Sequence, residues 1–454
     1  MIRILEVFVA LLIVAVLAVV VAVFLPAHGH IERSVEVSSP VRQIYDSLNT
    51  FNRFPQWSAL RALDRNVQMT FHGPQAGEGA QVAWTSSSPK VGDGDLKIDS
   101  SEQDSKITMG IDNDWDGANK VYTITLDPAT NGKTVKITWA YDVDYGWNLL
   151  WRYAGLYIHG DPATHIQVNL NNVAAMLASF PNVDYKDQQI SLTDVTAKPI
   201  FLVSTKAPRT LDDVASATDA AMNQIEAAMK KAGLNAAGPR MTITTNWGED
   251  NYVFDVAVPV DATSFKLGDQ QVQITPAAED EDVSAVSNGD STAQEASATT
   301  DQDNLEATPA KPKPGSHDDN GYLVVDDNVR AVVWYEGKAL VTDYTGNPAA
   351  LPLLRRMEKA YADTHGFPHS EIDTGRAWDE LTSPPDTAQD QQTYKVYLPV
   401  QLPPGDASAP APVPAQGTAV PNDGSSPPGS AAPADGTSPP TDKGDDSGSG
   451  GDTQ

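Results

Sequence analysis

The chain has 454 residues, roughly three average domains' worth, so two or three domains are expected rather than one. It contains no cysteine, which excludes disulfide frameworks, cysteine nucleophiles and thiolate metal sites. Lys and Arg number 31 against 60 Asp and Glu, for a formal net charge of −29. That argues against a nucleic-acid partner, which needs positive surface.

The first element in chain order is an uncharged run from Val7 to Leu25, close to the length a helix needs to cross a bilayer's hydrocarbon core. With Ile4 and Leu5 it gives a transmembrane helix over residues 4–25. A cleaved signal peptide is the competing reading, but its apolar region is usually shorter, and Leu25-Pro26-Ala27 lacks the small residue two places before a cut. Arg3 and the free amino group are the only positive charges before the span, so the positive-inside rule holds that end in the cytoplasm. Everything after Pro26 would then lie outside the cytoplasm, on the periplasmic or extracellular side.

Two stretches lack the means to build a core. An insert over 276–320 and a tail over 403–454 have no aromatic residue, and both read as disordered. The insert carries 11 acidic and 2 basic residues and the tail 7 and 1, together 15 of the 29 excess negative charges. The acidity therefore reports solvated tethers more than a substrate. Two folded segments remain, 30–180 and 189–401.

The first folded segment opens with an alternating strand, Ile31 to Val37, then Ser38-Ser39-Pro40, where a serine would cap a helix and proline would take its first position. Strand-like runs follow at Gln68 to His72, Gln81 to Ser86, Gly94 to Asp99, Lys106 to Ile111, Lys120 to Leu126 and Thr134 to Asp142. The stretch from Trp147 to Phe180 reads as largely helical, restarting at Gly160-Asp161-Pro162. This order predicts an antiparallel sheet curved around a long C-terminal helix, with a cavity between them. The segment resembles the SRPBCC superfamily, with its START-like helix-grip fold, and within it proteins of the polyketide cyclase/dehydrase type. The resemblance lies in I-E-R-S-V-E-V-S-S-P (Ile31 to Pro40), F-N-R-F-P-Q-W-S (Phe51 to Ser58), F-H-G-P-Q-A-G-E-G-A (Phe71 to Ala80) and D-Y-G-W-N-L-L-W-R-Y (Asp144 to Tyr153).

The second segment contains an internal repeat. Its first copy runs from strand Ile200 to Ser204 into the capping box Thr210-Leu211-Asp212-Asp213, then a helix stopped by Gly233, then two strands ending Val258-Pro259-Val260. The second copy repeats the order with strand Ala339 to Asp343, a cap at Asn347-Pro348, a helix to His365, a stop at Gly366 and a last strand ending Leu398-Pro399-Val400. This duplicated βαββ unit resembles the GyrI-like, or AraC-type effector-binding, domain. The matching runs are G-P-R-M-T-I (Gly238 to Ile243), Y-V-F-D-V-A-V-P-V (Tyr252 to Val260), D-Y-T-G (Asp343 to Gly346) and T-Y-K-V-Y-L-P-V (Thr393 to Val400). The family's Trp-Glu-x-Tyr signature is represented by Trp378-Asp379-Glu380-Leu381, with Asp379 where the groove glutamate is expected and Leu381 where the tyrosine is. The expected fold class is thus α+β: a transmembrane helix, a START-like domain and a duplicated effector-binding domain.

Candidate site residues follow from these elements. Trp57, Trp84, Trp139, Tyr141 and Trp151 fall on elements that should surround the first domain's cavity, giving an apolar pocket with indole and phenol donors for a small hydrophobic ligand. Tyr252, Trp334, Tyr344, Trp378, Asp379 and Glu380 would line an acid-bearing aromatic groove in the second domain, suited to cationic aromatic ligands. In both sets, ordinary core packing is the plain alternative. Asp112, Asp114 and Asp116 begin a calcium-loop pattern, but Thr123 stands where its bidentate glutamate should be, so a polar hairpin turn competes with a calcium site. His28 and His30 offer two imidazoles without a third ligand nearby, and His159, Asp161 and His165 read as a solvated turn. No cofactor motif, nucleophile elbow or H-E-x-x-H is present.

These features predict a membrane-anchored protein of the cell envelope that binds small molecules for sensing, sequestration or carriage. Two alternatives stay open, a cyclase/dehydratase-like or hydrolase enzyme and a regulatory effector-binding protein linked to transcription.

Overall fold

The computed structural model describes residues 2–130, 132–248, 250–277, 312–370 and 374–403. The expectation of disorder over the rest of the insert and nearly all of the tail lies outside the described residues. At the insert's C-terminal end it is corrected. Residues 312–320 form a turn in which Gly315 N–H donates to the Val324 carbonyl and Asp318 pairs with Arg330 at 2.9 Å. The aspartate thus has a fixed partner that composition could not reveal.

The N-terminal helix α1 (Ile2–Phe24) is long and apolar enough to cross a membrane. Its 23 residues span about 34 Å at 1.5 Å per residue. The chain passes directly into the first domain, whose elements are β1 (His28–Val37), α2 (Val41–Leu48), α3 (Phe54–Trp57), α4 (Leu60–Leu63), β2 (Gln68–His72), β3 (Gln81–Thr85), β4 (Gly94–Glu102), β5 (Lys106–Asn113), β6 (Ala118–Pro128), β7 (Val135–Asp144), α5 (Leu149–Ala154) and α6 (Asp161–Ser179). Strict alternation along β6 and β7 puts Tyr122, Ile124, Leu126, Ile137, Trp139 and Tyr141 on one buried face. The seven strands form one antiparallel sheet in the order β1-β7-β6-β5-β4-β3-β2. Helix α6 packs on its inner face through Ile166, Leu170, Val173 and Leu177, the spacing of a helical stripe. One local expectation fails: Pro40 itself takes the N-cap position of α2, with no side-chain cap from either serine.

The second domain contains β8 (Ile190–Val195), β9 (Lys198–Pro208), α7 (Leu211–Ala232), β10 (Met241–Trp247), β11 (Asn251–Pro259), β12 (Ser264–Leu267), β13 (Gln270–Gln273), β14 (Leu323–Val324), β15 (Val329–Trp334), β16 (Gly337–Thr345), α8 (Leu351–His365), β17 (Trp378–Leu381) and β18 (Thr393–Pro399). Thr210 accepts from Asp213 N–H at the start of α7, and Gly233 ends that helix in the left-handed region at φ 70°, a conformation glycine adopts without a Cβ penalty. Nine strands form an antiparallel sheet in the order β14-β15-β9-β11-β10-β17-β18-β16-β8. The order reads alike from either side of the β10–β17 pairing. There β9-β11-β10 with α7 faces β16-β18-β17 with α8, and the pairing is set by Met241 opposite Glu380 and Ile243 opposite Trp378. The β12–β13 hairpin was not anticipated.

Candidate functional site

The first domain holds a cavity of about 50 Å³ between sheet and helix. Trp57 comes from α3, Trp84 from β3 and Trp139 from β7, and all three rings line it. Edge-to-face contacts hold Trp57 and Trp139, 5.7 Å apart, with Trp139 5.4 Å from Tyr122 and Phe54 4.7 Å from Trp57, while Trp84 stacks on Phe54 at 6.1 Å. The indole N–H groups of Trp57, Trp84 and Trp139 and the hydroxyl of Ser58 are all buried, and none has a hydrogen-bond partner among the described residues. Four orphan polar groups around one cavity are unusual, because buried donors are almost always satisfied. The cavity is polar in capacity and aromatic in shape.

Two of the five expected residues stand elsewhere. Tyr141 packs behind the lining against Trp115 (5.6 Å) and Tyr122 (5.5 Å). Trp151 lies on α5 and packs only against the edge of the core, outside the cavity. The site gains Trp115 and His165, 5.3 Å apart edge-to-face. The expectation that His165 belongs to a solvated turn is corrected. It sits on α6, where burial holds its imidazole below the ordinary value against the opposing pull of Asp161. A neutral imidazole therefore joins the lining.

The turn that carries Trp115 is the former calcium candidate. Lys120 fills its concave side, donating to the Asn113 side-chain oxygen at 2.9 Å and the Trp115 carbonyl at 3.1 Å, with Asp112 3.8 Å away. The ammonium thus places a positive charge beside the three aspartates without binding Asp114 or Asp116, and among the described residues no group of three metal-ligating side chains forms. His28 and His30 are also committed, each paired across the sheet with an aspartate of β7, Asp144 and Asp142 respectively.

In the second domain the expected groove is corrected. Side chains alternate along a strand, so neighbours Asp379 and Glu380 face opposite sides of the sheet. On the face away from the helices, Trp378 stacks on Tyr397 at 4.8 Å and meets Trp334 at 6.1 Å, while Glu380 lies 3.5 Å from Lys198 and from the Tyr397 hydroxyl. Arg376 lies over Trp334 and pairs with Asp255 at 2.8 Å. On the helix face, Asp379 is bound by the buried guanidinium of Arg355 from α8. Tyr252 lies beside this pair, which acts on its phenol, and Tyr344 stacks on Tyr394 at 6.4 Å. Glu358, one helical turn after Arg355, is fully buried, and burial pushes its carboxyl up to about 8. Arg355 and Asp379 cancel and Glu358 stays protonated at neutral pH, so the cluster offers no free anion.

A wider cleft of about 510 Å³ lies beside Pro199 and Pro259. Its carboxylate, Asp261, is already held by Asn235 at 2.8 and 3.0 Å.

No family model matches this chain, and no curated protein does. Among solved structures it is similar to norcoclaurine synthase from Thalictrum flavum in complex with dopamine and hydroxybenzaldehyde, at 13% identity, covering 35% of this chain and 90% of that one with a TM-score of 0.27. It is also similar to Ara h 8.0201, at 13% identity, 34% and 99% coverage and a TM-score of 0.26. A third is the EcmrR C-terminal domain, at 10% identity, 47% and 98% coverage and a TM-score of 0.29. At these values the functional assignment rests on the chain's own geometry.

Proposed function

We propose that this protein is a membrane-anchored binding protein of the cell envelope whose first domain holds a compact, acceptor-bearing aromatic or polycyclic molecule. The observation that carries this is the set of orphan donors, Trp57, Trp84, Trp139 and Ser58, around the aromatic cavity. A ligand carbonyl or ether oxygen would satisfy them, and aromatic walls would bury its rings. At about 50 Å³ the cavity as it stands has room for little more than a water or two. A ring-sized ligand would need this lining to open, and the partly buried Val91, between β3 and β4, and Trp115 are the side chains expected to move. Helix α1 supplies the anchor, and Arg3 at its start favours domains outside the cytoplasm.

The START-like and GyrI-like readings of the two domains fit this role as sensor, sequestering protein or carrier. A cationic ligand at Asp379 would have to displace Arg355, so the ligand belongs to the first domain. A second reading, a cyclase/dehydratase-like enzyme, is favoured by His165, a neutral imidazole in the cavity wall able to accept a proton.

The test is thermal: full-length protein is melted with a panel of planar aromatic ketones and carboxamides, alongside Trp84→Phe and Trp139→Phe, which keep a ring and lose the N–H. A ligand that raises the wild-type melting temperature and loses that effect in the variants supports the reading. A panel without effect on the wild type removes it.

A further inference from the structure

Outside α1, the most exposed large apolar side chains among the described residues are Trp147 (83%), Leu150 (79%), Tyr157 (75%) and Leu156 (58%). All four fall within eleven residues, Trp147 to Tyr157, and the only charge in that segment is Arg152. The apolar tips face outward while the polar groups point at α1. Arg152 donates to the carbonyls of Val23 (2.9 Å), Leu25 (3.3 Å) and Ala22 (3.4 Å) and lies 5.2 Å from the Trp147 ring. It thereby satisfies carbonyls that a helix C-terminus leaves open and complements the dipole there. Tyr153 donates to the Ala18 carbonyl at 2.6 Å. Ala18 lies six residues before the end of α1, so this contact sits about 9 Å below that end.

The attachment is tight. Tyr145 N–H donates to the Ala27 carbonyl at 2.8 Å, and a Cβ on Gly29 would come within 2.7 Å of Ile158. The segment is therefore held alongside the last turns of α1, where it cannot leave whatever surrounds that helix.

We propose that Trp147–Tyr157 is a membrane-embedded collar: it sits in the leaflet from which α1 emerges and docks the first domain on the bilayer surface in a fixed orientation. The occupant of this apolar face is lipid because the face is continuous with α1, whose own exposed surface requires lipid. Indole and phenol rings favour that depth, and a single arginine with its charge turned to helix carbonyls is compatible with it. One functional consequence follows. The turn bearing Trp115 lies at the same end of the sheet, since Ala118 and His28 both pair with Asp144. The cavity mouth then faces the membrane surface.

The inference rests on α1 spanning the bilayer, and the test separates the two. The cysteine-free chain accepts single substitutions at Ala15, Leu150, Tyr157 and Leu353, each labelled with an environment-sensitive fluorophore. Full-length protein is reconstituted in phosphatidylcholine vesicles containing lipids spin-labelled near the headgroup or deep in the chain. The proposal expects Ala15→Cys to lose emission with the deep quencher, Leu150→Cys and Tyr157→Cys to lose it with the shallow quencher, and Leu353→Cys to keep it. If Ala15→Cys escapes the deep quencher, the span itself fails and the collar with it. If Ala15→Cys is quenched while the two collar positions respond only to an aqueous quencher, the collar alone is overturned. Protection of the collar positions from lipid and aqueous quenchers alike, with disulfide crosslinking of unlabelled Leu150→Cys between copies, would instead mark an interface between two copies and likewise overturn it.

Discussion

The phenol of Tyr185 donates to Asp46 Oδ2 at 2.8 Å and lies 2.8 Å from Thr364 Oγ1, joining α2 of the first domain to α8 of the second. Asn52 and Arg53 extend the seam by donating to the carbonyls of His365 and Asp363 at 2.9 and 2.6 Å. Burial disfavours the charged form of both titratable groups at its centre. Burial raises Asp46, and burial lowers His365, which stacks on Tyr361 at 3.8 Å. The first domain is thus tied to α8 through packed, hydrogen-bonded groups.

The seam has an acid limb. Because the folded pKa of His365 lies below the ordinary 6.5, the unfolded chain takes up the proton first, and stability falls as pH drops through and below that value. We expect the melting temperature of His365→Gln to fall less between pH 7 and pH 5 than that of the wild type. Parallel curves would remove His365 from the seam's pH dependence. Tyr185→Phe, which deletes the bond to Asp46, is expected to cost about 1 kcal/mol at every pH in that range.

Glu358 predicts the opposite slope. Its carboxyl is raised from 4.5 to about 8, so the folded state keeps a proton that the unfolded state releases, and stability declines as pH rises across that window. Glu358→Gln should match the wild type near pH 4.5 and exceed it increasingly towards pH 8. Asp379→Asn should cost on the order of 3 kcal/mol because it leaves the Arg355 guanidinium buried without its counter-charge. Chemical denaturation at pH 5, 6.5 and 8 measures both, and a wild-type-like Asp379→Asn would contradict the assigned ion pair.

Lys120 links the former calcium motif to the cavity. Wild-type protein should show no change in melting temperature with millimolar calcium, since the Lys120 ammonium, 3.8 Å from Asp112, opposes a second cation among these aspartates. Lys120→Met should loosen the turn and speed ligand association, because Trp115 then moves more freely over the mouth. A calcium-induced rise in the wild type, or unchanged association in the variant, would reverse this assignment.

Much of the architecture was legible because alternation and turn residues speak locally. The six strand-like runs after Pro40 each fall on an observed strand, and Gly233 and Gly366 end their helices in the left-handed conformation expected. What failed was mostly a question of which face or which partner. Period two placed Asp379 and Glu380 back to back, although their adjacency in sequence suggested one groove. Lys120, Arg330 and Arg355 pair with Asp112, Asp318 and Asp379 on other elements or turns, and no spacing rule announces such pairings. Trp57, Trp84 and Trp139 line the cavity where their place in the expected sheet and helix put them, while His165 was read as part of a turn because its partner ring, Trp115, is fifty residues away in sequence. Trp147 and Leu150 carried a usable signal, an apolar cluster with one arginine, but only contact with α1 shows what that cluster adjoins.

The most direct measurement is native mass spectrometry of the full-length protein extracted in a mild detergent, with wild type and the Trp84→Phe/Trp139→Phe double variant compared. The account predicts a small molecule bound one-to-one to the wild type and lost from the variant, identified after release by its own mass. A wild type free of any such adduct, or one retained equally by both proteins, would contradict it.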